Sequence, residues 1–157
     1  MTDVDEPSEL DITQLWRSHS TELLRYATLL VGPHDANDLV AGAFAKIGPS
    51  SLGQIMNPRA YLFRVVANLA FDQRRSQQRR QVRDLHALLP TSGGAMDSQL
   101  DVRRAVAALS VQQRAVVYFA YWEDLDAPAI AEILDIAPGT VRRHLANARH
   151  RLRKELS

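Results

Sequence analysis

Apolar residues return at helical spacing through almost the whole chain, and no run alternates with the period of two that a half-buried strand needs. Ile12, Leu15, Trp16, Leu23, Tyr26, Ala27 and Leu30 form the first stripe, and Gly32-Pro33 ends it. Asp35 is placed to cap a second helix with Leu39, Val40, Ala43, Phe44 and Ile47 on its apolar side. A loop rich in Gly, Pro and Ser follows from Gly48 to Met56. Asn57-Pro58 then opens a helix expected to run to about Arg83, with Leu62, Val65, Val66 and Leu69 inward. After a break at Pro90-Thr91-Ser92-Gly93-Gly94, Leu100, Val106 and Leu109 suggest a further helix. Ser110 and Gln113 have the spacing of a capping box ahead of a helix through Tyr118, Phe119 and Trp122. Asp126 is placed to cap a short helix with Ile130, Ala131, Ile133 and Leu134, and a turn at Asp135–Pro138 leads to the last one. The expected fold is all-α, with two small helical domains joined by a short linker. The domains span residues 10–83 and 100–157, and the linker spans 84–99.

A chain of 157 residues split in this way gives each half a thin core. It contains no Cys, which excludes disulfides, thiolate metal sites and cysteine nucleophiles. No stretch approaches the ~20 apolar residues of a membrane span. The first residues carry Asp3, Asp5, Glu6, Glu9 and Asp11 with no base before Arg17, the wrong charge for a secretory leader. A cytoplasmic protein without membrane insertion is the expectation.

The net charge of +1 conceals a strong segregation. Residues 1–40 hold 8 acids and 2 bases, whereas residues 41–80 hold 7 bases and 1 acid. Six more bases lie between Arg142 and Lys154, with no acid among them. An acidic head followed by two separated basic clusters fits two electrostatic footprints on a polyanion, or else two solvated helix faces.

The region Ala129–Leu152 favours the polyanion reading, against a helical hairpin that closes a bundle with its arginines on the wet face. A short helix, a tight turn and a longer helix make a helix-turn-helix pattern. Val141, Leu145, Ala148 and Leu152 form one buried stripe, and Arg142, Arg143, Ala146, Asn147 and Arg149 fall off it. Arg and Asn carry the paired donors and acceptors that match guanine and adenine edges in the major groove. Gly139 and Thr140 bring backbone donors to the helix start. In the helix from Pro58, Arg64, Asn68, Asp72, Arg75 and Arg79 share a face, flanked by Arg74 and Arg80, with Tyr61 and Phe71 as stacking surfaces. Taken alone, that second face is better accounted for by intrahelical ion pairing. The five His show no metal-ligand spacing, and neither a phosphate-binding glycine loop nor a nucleophile elbow occurs. No cofactor, metal or catalytic residue is expected.

Taken together, these segments resemble bacterial RNA polymerase sigma factors of the extracytoplasmic-function (ECF) group. The likeness lies in Asp38-Leu-Val with Phe44, in Asn57-Pro-Arg-Ala-Tyr-Leu-Phe-Arg-Val-Val-Ala-Asn68, in Ala108-Leu-Ser-Val-Gln-Gln, in Tyr121-Trp-Glu-Asp-Leu and in Pro138-Gly-Thr-Val-Arg142. The resemblance implies a sigma region 2-like domain over 10–83 and a region 4-like domain over 100–157. It implies −10 promoter contacts by Arg64, Asn68, Arg74, Arg75, Arg79 and Arg80. It implies −35 contacts by Thr140, Arg142, Arg143, Ala146, Asn147 and Arg149. Asp38, Leu39, Val40 and Phe44 would dock on the β′ clamp helices of core RNA polymerase, and Val116, Phe119 and Trp122 on the β flap. An anti-sigma factor is a further implied partner.

Four positions depart from the family pattern. Ala41-Gly42 stand where Gln-Glu is usual, Asp135 replaces a Gly, Ala137 replaces a capping Ser, and Asn147 stands where Arg is frequent. Ala41-Gly42 leaves open a second reading, an ordinary helix-turn-helix regulator that does not dock on polymerase. A protein that only binds an anti-sigma factor is a third.

Overall fold

The computed structural model describes residues 7–47, 55–78 and 97–157. Among them are seven α-helices and no strand: α1 (Pro7–Val31), α2 (Pro33–Ala45), α3 (Pro58–Gln78), α4 (Asp97–Ala107), α5 (Val111–Val117), α6 (Ala127–Leu134) and α7 (Pro138–Leu156). A wider π-helical turn over Tyr118–Trp122 continues α5. The chain packs as two compact units, Met1–Leu69 and Ala70–Ser157. Of the linker expected over 84–99, residues 97–99 open α4 and the rest lies outside the described residues.

In the second unit, α7 packs on α4, α5 and α6. Its Val141, Leu145 and Ala148 meet a core that includes Ala105, Leu109, Val111, Ala115, Val116, Phe119, Ile130 and Leu134. The expected capping box at α5 is present: the Ser110 hydroxyl accepts from the Gln113 N–H at 3.1 Å, and the Ser110 N–H donates to the Gln113 side chain at 3.0 Å. Asp126 caps α6 by accepting from the Ala129 N–H at 3.0 Å. The Arg151 guanidinium donates to the Ala108 carbonyl at 2.6 Å, satisfying an acceptor at the end of α4 with a cation.

In the first unit, α1 and α2 form a tight hairpin around Gly32. Its φ of 86° lies where only glycine is unstrained, and its N–H closes the last turn of α1 on the Thr28 carbonyl at 2.8 Å. Pro33 occupies the first position of α2, so Asp35 lies inside the first turn and is not the cap expected from the sequence. Asn57 does cap α3, accepting from the Ala60 N–H at 3.1 Å. Tyr26 packs on Phe63 at 5.1 Å between ring centroids, inside a core of Leu23, Leu30, Leu39, Val40, Leu62 and Val66.

A polar contact ties α3 to α1. Arg59 grips Glu22 with two parallel bonds, Nε to Oε1 at 2.9 Å and Nη2 to Oε2 at 3.1 Å, and lies over the Phe63 ring. His19 reaches the same Oε1 at 2.7 Å. Burial works to raise the Glu22 pKa, but the hydrogen bonds and charges of Arg59 and His19 outweigh it and hold the carboxyl below its ordinary value.

Gly42 lies where α2 approaches α3. A Cβ placed on it meets Leu69 Cδ1 at 3.4 Å, an ordinary van der Waals contact. The glycine therefore relieves no clash, and its backbone freedom is a cost within the helix. Gly42→Ala is expected to stabilise the protein by about 0.5–1 kcal/mol, measured by chemical denaturation. Destabilisation would mean that the α2–α3 approach tolerates no added methyl.

Candidate nucleic-acid interface

The helix-turn-helix of α6 and α7 is built by local backbone chemistry. Asp135 ends α6 in the left-handed region, at φ 57° and ψ 49°. Asp tolerates this conformation better than most residues with a Cβ, which lets it stand in for glycine. The Ile136 N–H then closes on the Ala131 carbonyl at 3.1 Å. Ala137 occupies the N-cap position of α7 without a side-chain bond, and Pro138 follows at the first helical position.

With Val141, Leu145 and Ala148 buried, α7 turns Arg142, Arg143, Ala146, Asn147 and Arg149 to solvent. Thr140 is half-buried at the helix start. His150 joins the outer face, a residue the sequence reading did not include. The result is an exposed helical face carrying guanidinium, carboxamide and imidazole groups at spacings that suit a groove.

Along α3, Asn68, Asp72 and Arg75 are exposed, and Arg64 and Arg74 are half-buried. Arg79 and Arg80 lie outside the described residues. On α2, Asp38 is exposed and Phe44 is half-buried, with its ring edge-on to Trp16 at 4.9 Å. Leu39 and Val40 correct the sequence reading. They are 6% and 2% exposed, because they supply the apolar side of α2 to the core, and cannot present side chains to a partner. Val116 and Phe119 are corrected in the same way, both being fully buried.

Trp122, by contrast, is 63% exposed and Tyr121 is 58% exposed. An α-helical period would carry Trp122 onto the stripe of Val111, Ala115 and Tyr118. The π turn prevents this: the Glu123 N–H bonds to the Tyr118 carbonyl five residues back, which swings the end of the helix towards solvent. Nothing in the apolar periodicity announces that extra residue in the turn.

Residues 15–80 match the family Sigma-70 region 2, and residues 99–152 match the family Sigma-70, region 4. The chain is 33% identical over 153 residues to the ECF RNA polymerase sigma factor SigL of Mycobacterium tuberculosis, covering 90% of this chain and 86% of that one. It is 30% identical over 148 residues to the ECF RNA polymerase sigma factor SigM of the same organism, covering 91% and 76%. Among solved structures it resembles the sigma factor RpoE of Bartonella quintana, crystallised with the anti-sigma factor NepR. The TM-score is 0.69 at 25% identity, over 93% of this chain and 96% of that one. The chain belongs to the ECF group of RNA polymerase sigma factors.

As a sigma factor it directs promoter-specific transcription initiation, and the two matched regions fall on the two ends of the helical chain. No helix among the described residues is long and apolar enough to cross a membrane. The described residues hold no cluster of three or more His, Cys, Asp or Glu able to bind a metal.

His144 lies on the flank of the sigma factor's α7, next to the exposed arginines. Burial lowers its pKa below the ordinary 6.5, and the Arg143 charge lowers it further. The folded site thus refuses a proton that the unfolded chain accepts. The stability linked to this group is complete above about pH 6.5 and is lost as pH falls from there towards the folded pKa. Replacing His144 with Gln is expected to flatten the stability profile between pH 7 and 5, read by thermal melting across that range. An unchanged acid slope would show that His144 carries none of it.

Proposed function

We propose that this sigma factor binds core RNA polymerase through its first domain and reads promoters with two helices, α3 at the −10 element and α7 at the −35 element. The observation that carries the reading is the exposed face of α7, where Arg142, Arg143 and Asn147 stand clear of the buried stripe with Thr140, Ala146 and Arg149 beside them. Arg64, Asn68, Arg74 and Arg75 supply the −10 surface, extended by Arg79 and Arg80, which meet backbone phosphate. Asn68 takes an unpaired base by its carboxamide. The working division of the chain is 10–83 for polymerase and the −10 element, 84–99 for the linker, and 100–157 for the −35 element.

Polymerase docking falls to the exposed side of α2, to Asp38 and to Phe44 with Trp16, in place of Leu39 and Val40. Trp122 remains the exposed apolar residue suited to the β flap. The polymerase supplies catalysis and the sigma factor supplies specificity, in the cytoplasm where the polymerase works. An anti-sigma factor fits as a regulatory partner, since the related RpoE was crystallised with one. Pull-down with core polymerase followed by run-off transcription tests the whole reading. Failure to bind core, with specific DNA binding retained, would favour the ordinary-regulator alternative.

Two substitutions test the reading helices. Asn68→Ala is expected to weaken open-complex formation on duplex promoters and on pre-melted bubble templates, while the fold stays intact by circular dichroism. Equal transcription by mutant and parent on both templates would remove Asn68 from the site. Asn147→Arg is expected to shift one −35 position from adenine towards guanine in a randomised-promoter selection, since a good bidentate contact discriminates by about 1–3 kcal/mol. Tighter binding to all variants with an unchanged preference would place Asn147 against phosphate or solvent.

A further inference from the structure

Arg149, like Arg151 and unlike Arg142 and Arg143, is held by a hydrogen bond among the described residues. Its Nε donates to the Tyr121 hydroxyl at 2.6 Å, and its guanidinium carbon lies 5.8 Å from the centre of the Tyr121 ring. Tyr121 comes from the π turn that continues α5, 28 residues earlier in the chain, so the contact joins two elements of the second unit. No other hydrogen bond engages either side chain among the described residues. A guanidinium has five N–H donors, and Nε uses one, so the four on the two terminal nitrogens remain free. The tyrosine oxygen accepts from Arg149 and keeps its own O–H to donate.

A planar cation with a free terminal fork, beside a free hydroxyl donor and open to solvent, matches a phosphate oxygen pair. Two further observations favour backbone phosphate over a base edge. Arg149 stands eleven residues after Pro138, about 16 Å along the axis from the start of α7 and beyond Arg142, Arg143 and Asn147, whereas base contacts in helix-turn-helix docking are concentrated in the earlier turns of the helix. It also lies two turns beyond Arg142 on the same flank, and its Nε is held by the Tyr121 hydroxyl of the turn that continues α5.

Building on the −35 reading above, we propose that Tyr121 and Arg149 form one phosphate-binding clamp, in which Tyr121 positions the Arg149 fork and donates its own O–H to the same DNA phosphate flanking the −35 element. The π turn acquires a role in this: it carries Tyr121 out of the α-helical register to the point where α7 presents Arg149.

The test uses the full chain in holoenzyme with core polymerase and a duplex promoter selected by that holoenzyme from a randomised −35 library. Binding is measured across a salt series for the parent, Tyr121→Phe, Arg149→Ala, the double variant and Arg143→Ala. Arg149→Ala is expected to lower the salt slope by up to ~0.9, the value of one phosphate contact. Tyrosine carries no charge, so Tyr121→Phe can change the slope only through Arg149. It is expected to lower the slope in the same direction and to weaken binding about three- to tenfold without altering the selected sequence. The double variant is expected to bind no more weakly than Arg149→Ala alone, because the two side chains act as a unit.

A parental slope and affinity for Tyr121→Phe, with Arg143→Ala and Arg149→Ala both impaired, would overturn the clamp and leave the −35 reading standing. Parental binding by Arg143→Ala and Arg149→Ala alike would overturn the −35 reading itself. A lowered melting temperature for Tyr121→Phe with an unchanged slope would make the contact a staple of the fold, and would also overturn the proposal.

Discussion

Everything the second domain offers to DNA depends on how α7 is rotated, and that rotation is set by Val141, Leu145 and Ala148. These residues are buried against three helices. Burying Val141 or Leu145 stabilises by roughly 1.5–3 kcal/mol each, while taking an unpaired arginine out of water costs several kcal/mol. A rotation of α7 by one residue would expose the first set and bury Arg142, so both effects select the same register. The side that α7 exposes thus follows from core packing, and no polar contact is needed to specify it. Arg142, Arg143 and Arg149 stay at the surface of this helix.

The first domain solves a different problem. Its helices are joined by an apolar core, but α3 also needs a fixed position along α1. The Glu22–Arg59 pair provides it, because a bidentate guanidinium–carboxylate contact tolerates little sliding. A partly exposed pair of this kind contributes about 1 kcal/mol or less on its own, so its value lies in register more than in stability. The carboxyl is held below its ordinary pKa, so the pair remains charged at neutral pH and weakens only in acid.

Much of the fold was legible in the sequence because the signals were local. Ser110 with Gln113, Asn57 before Pro58, and Asp126 before Ala127 each cap as their chemistry requires. The exposed face of α7 was legible because its apolar stripe is strict. The misses have separate physical causes. Leu39 and Val40 lie in a motif associated with polymerase docking, yet their own side chains complete the core. Asp35 has the right chemistry for a cap, but Pro33 starts the helix two residues earlier. Trp122 fits the stripe of α5 until the turn widens, and a π turn leaves no periodic trace when it spans only five residues. The Tyr121–Arg149 contact was invisible for the same reason: it joins residues far apart in sequence through a turn that the pattern does not encode.

The charge distribution then explains why such a chain works as part of a larger complex. Two basic footprints on a chain of net charge +1 leave the rest of the surface neutral or acidic, and residues 1–40 repel the polyanion that the arginines attract. Each footprint carries only a handful of cationic side chains, so each alone binds weakly and with strong dependence on salt. Holding both on one promoter makes the second contact intramolecular, and affinity then rises without any new interaction. Core RNA polymerase, which holds both the sigma factor and the DNA, supplies that condition. Weak separate contacts also have a use, since a factor that bound promoters tightly by itself would occupy them without the enzyme that must initiate there.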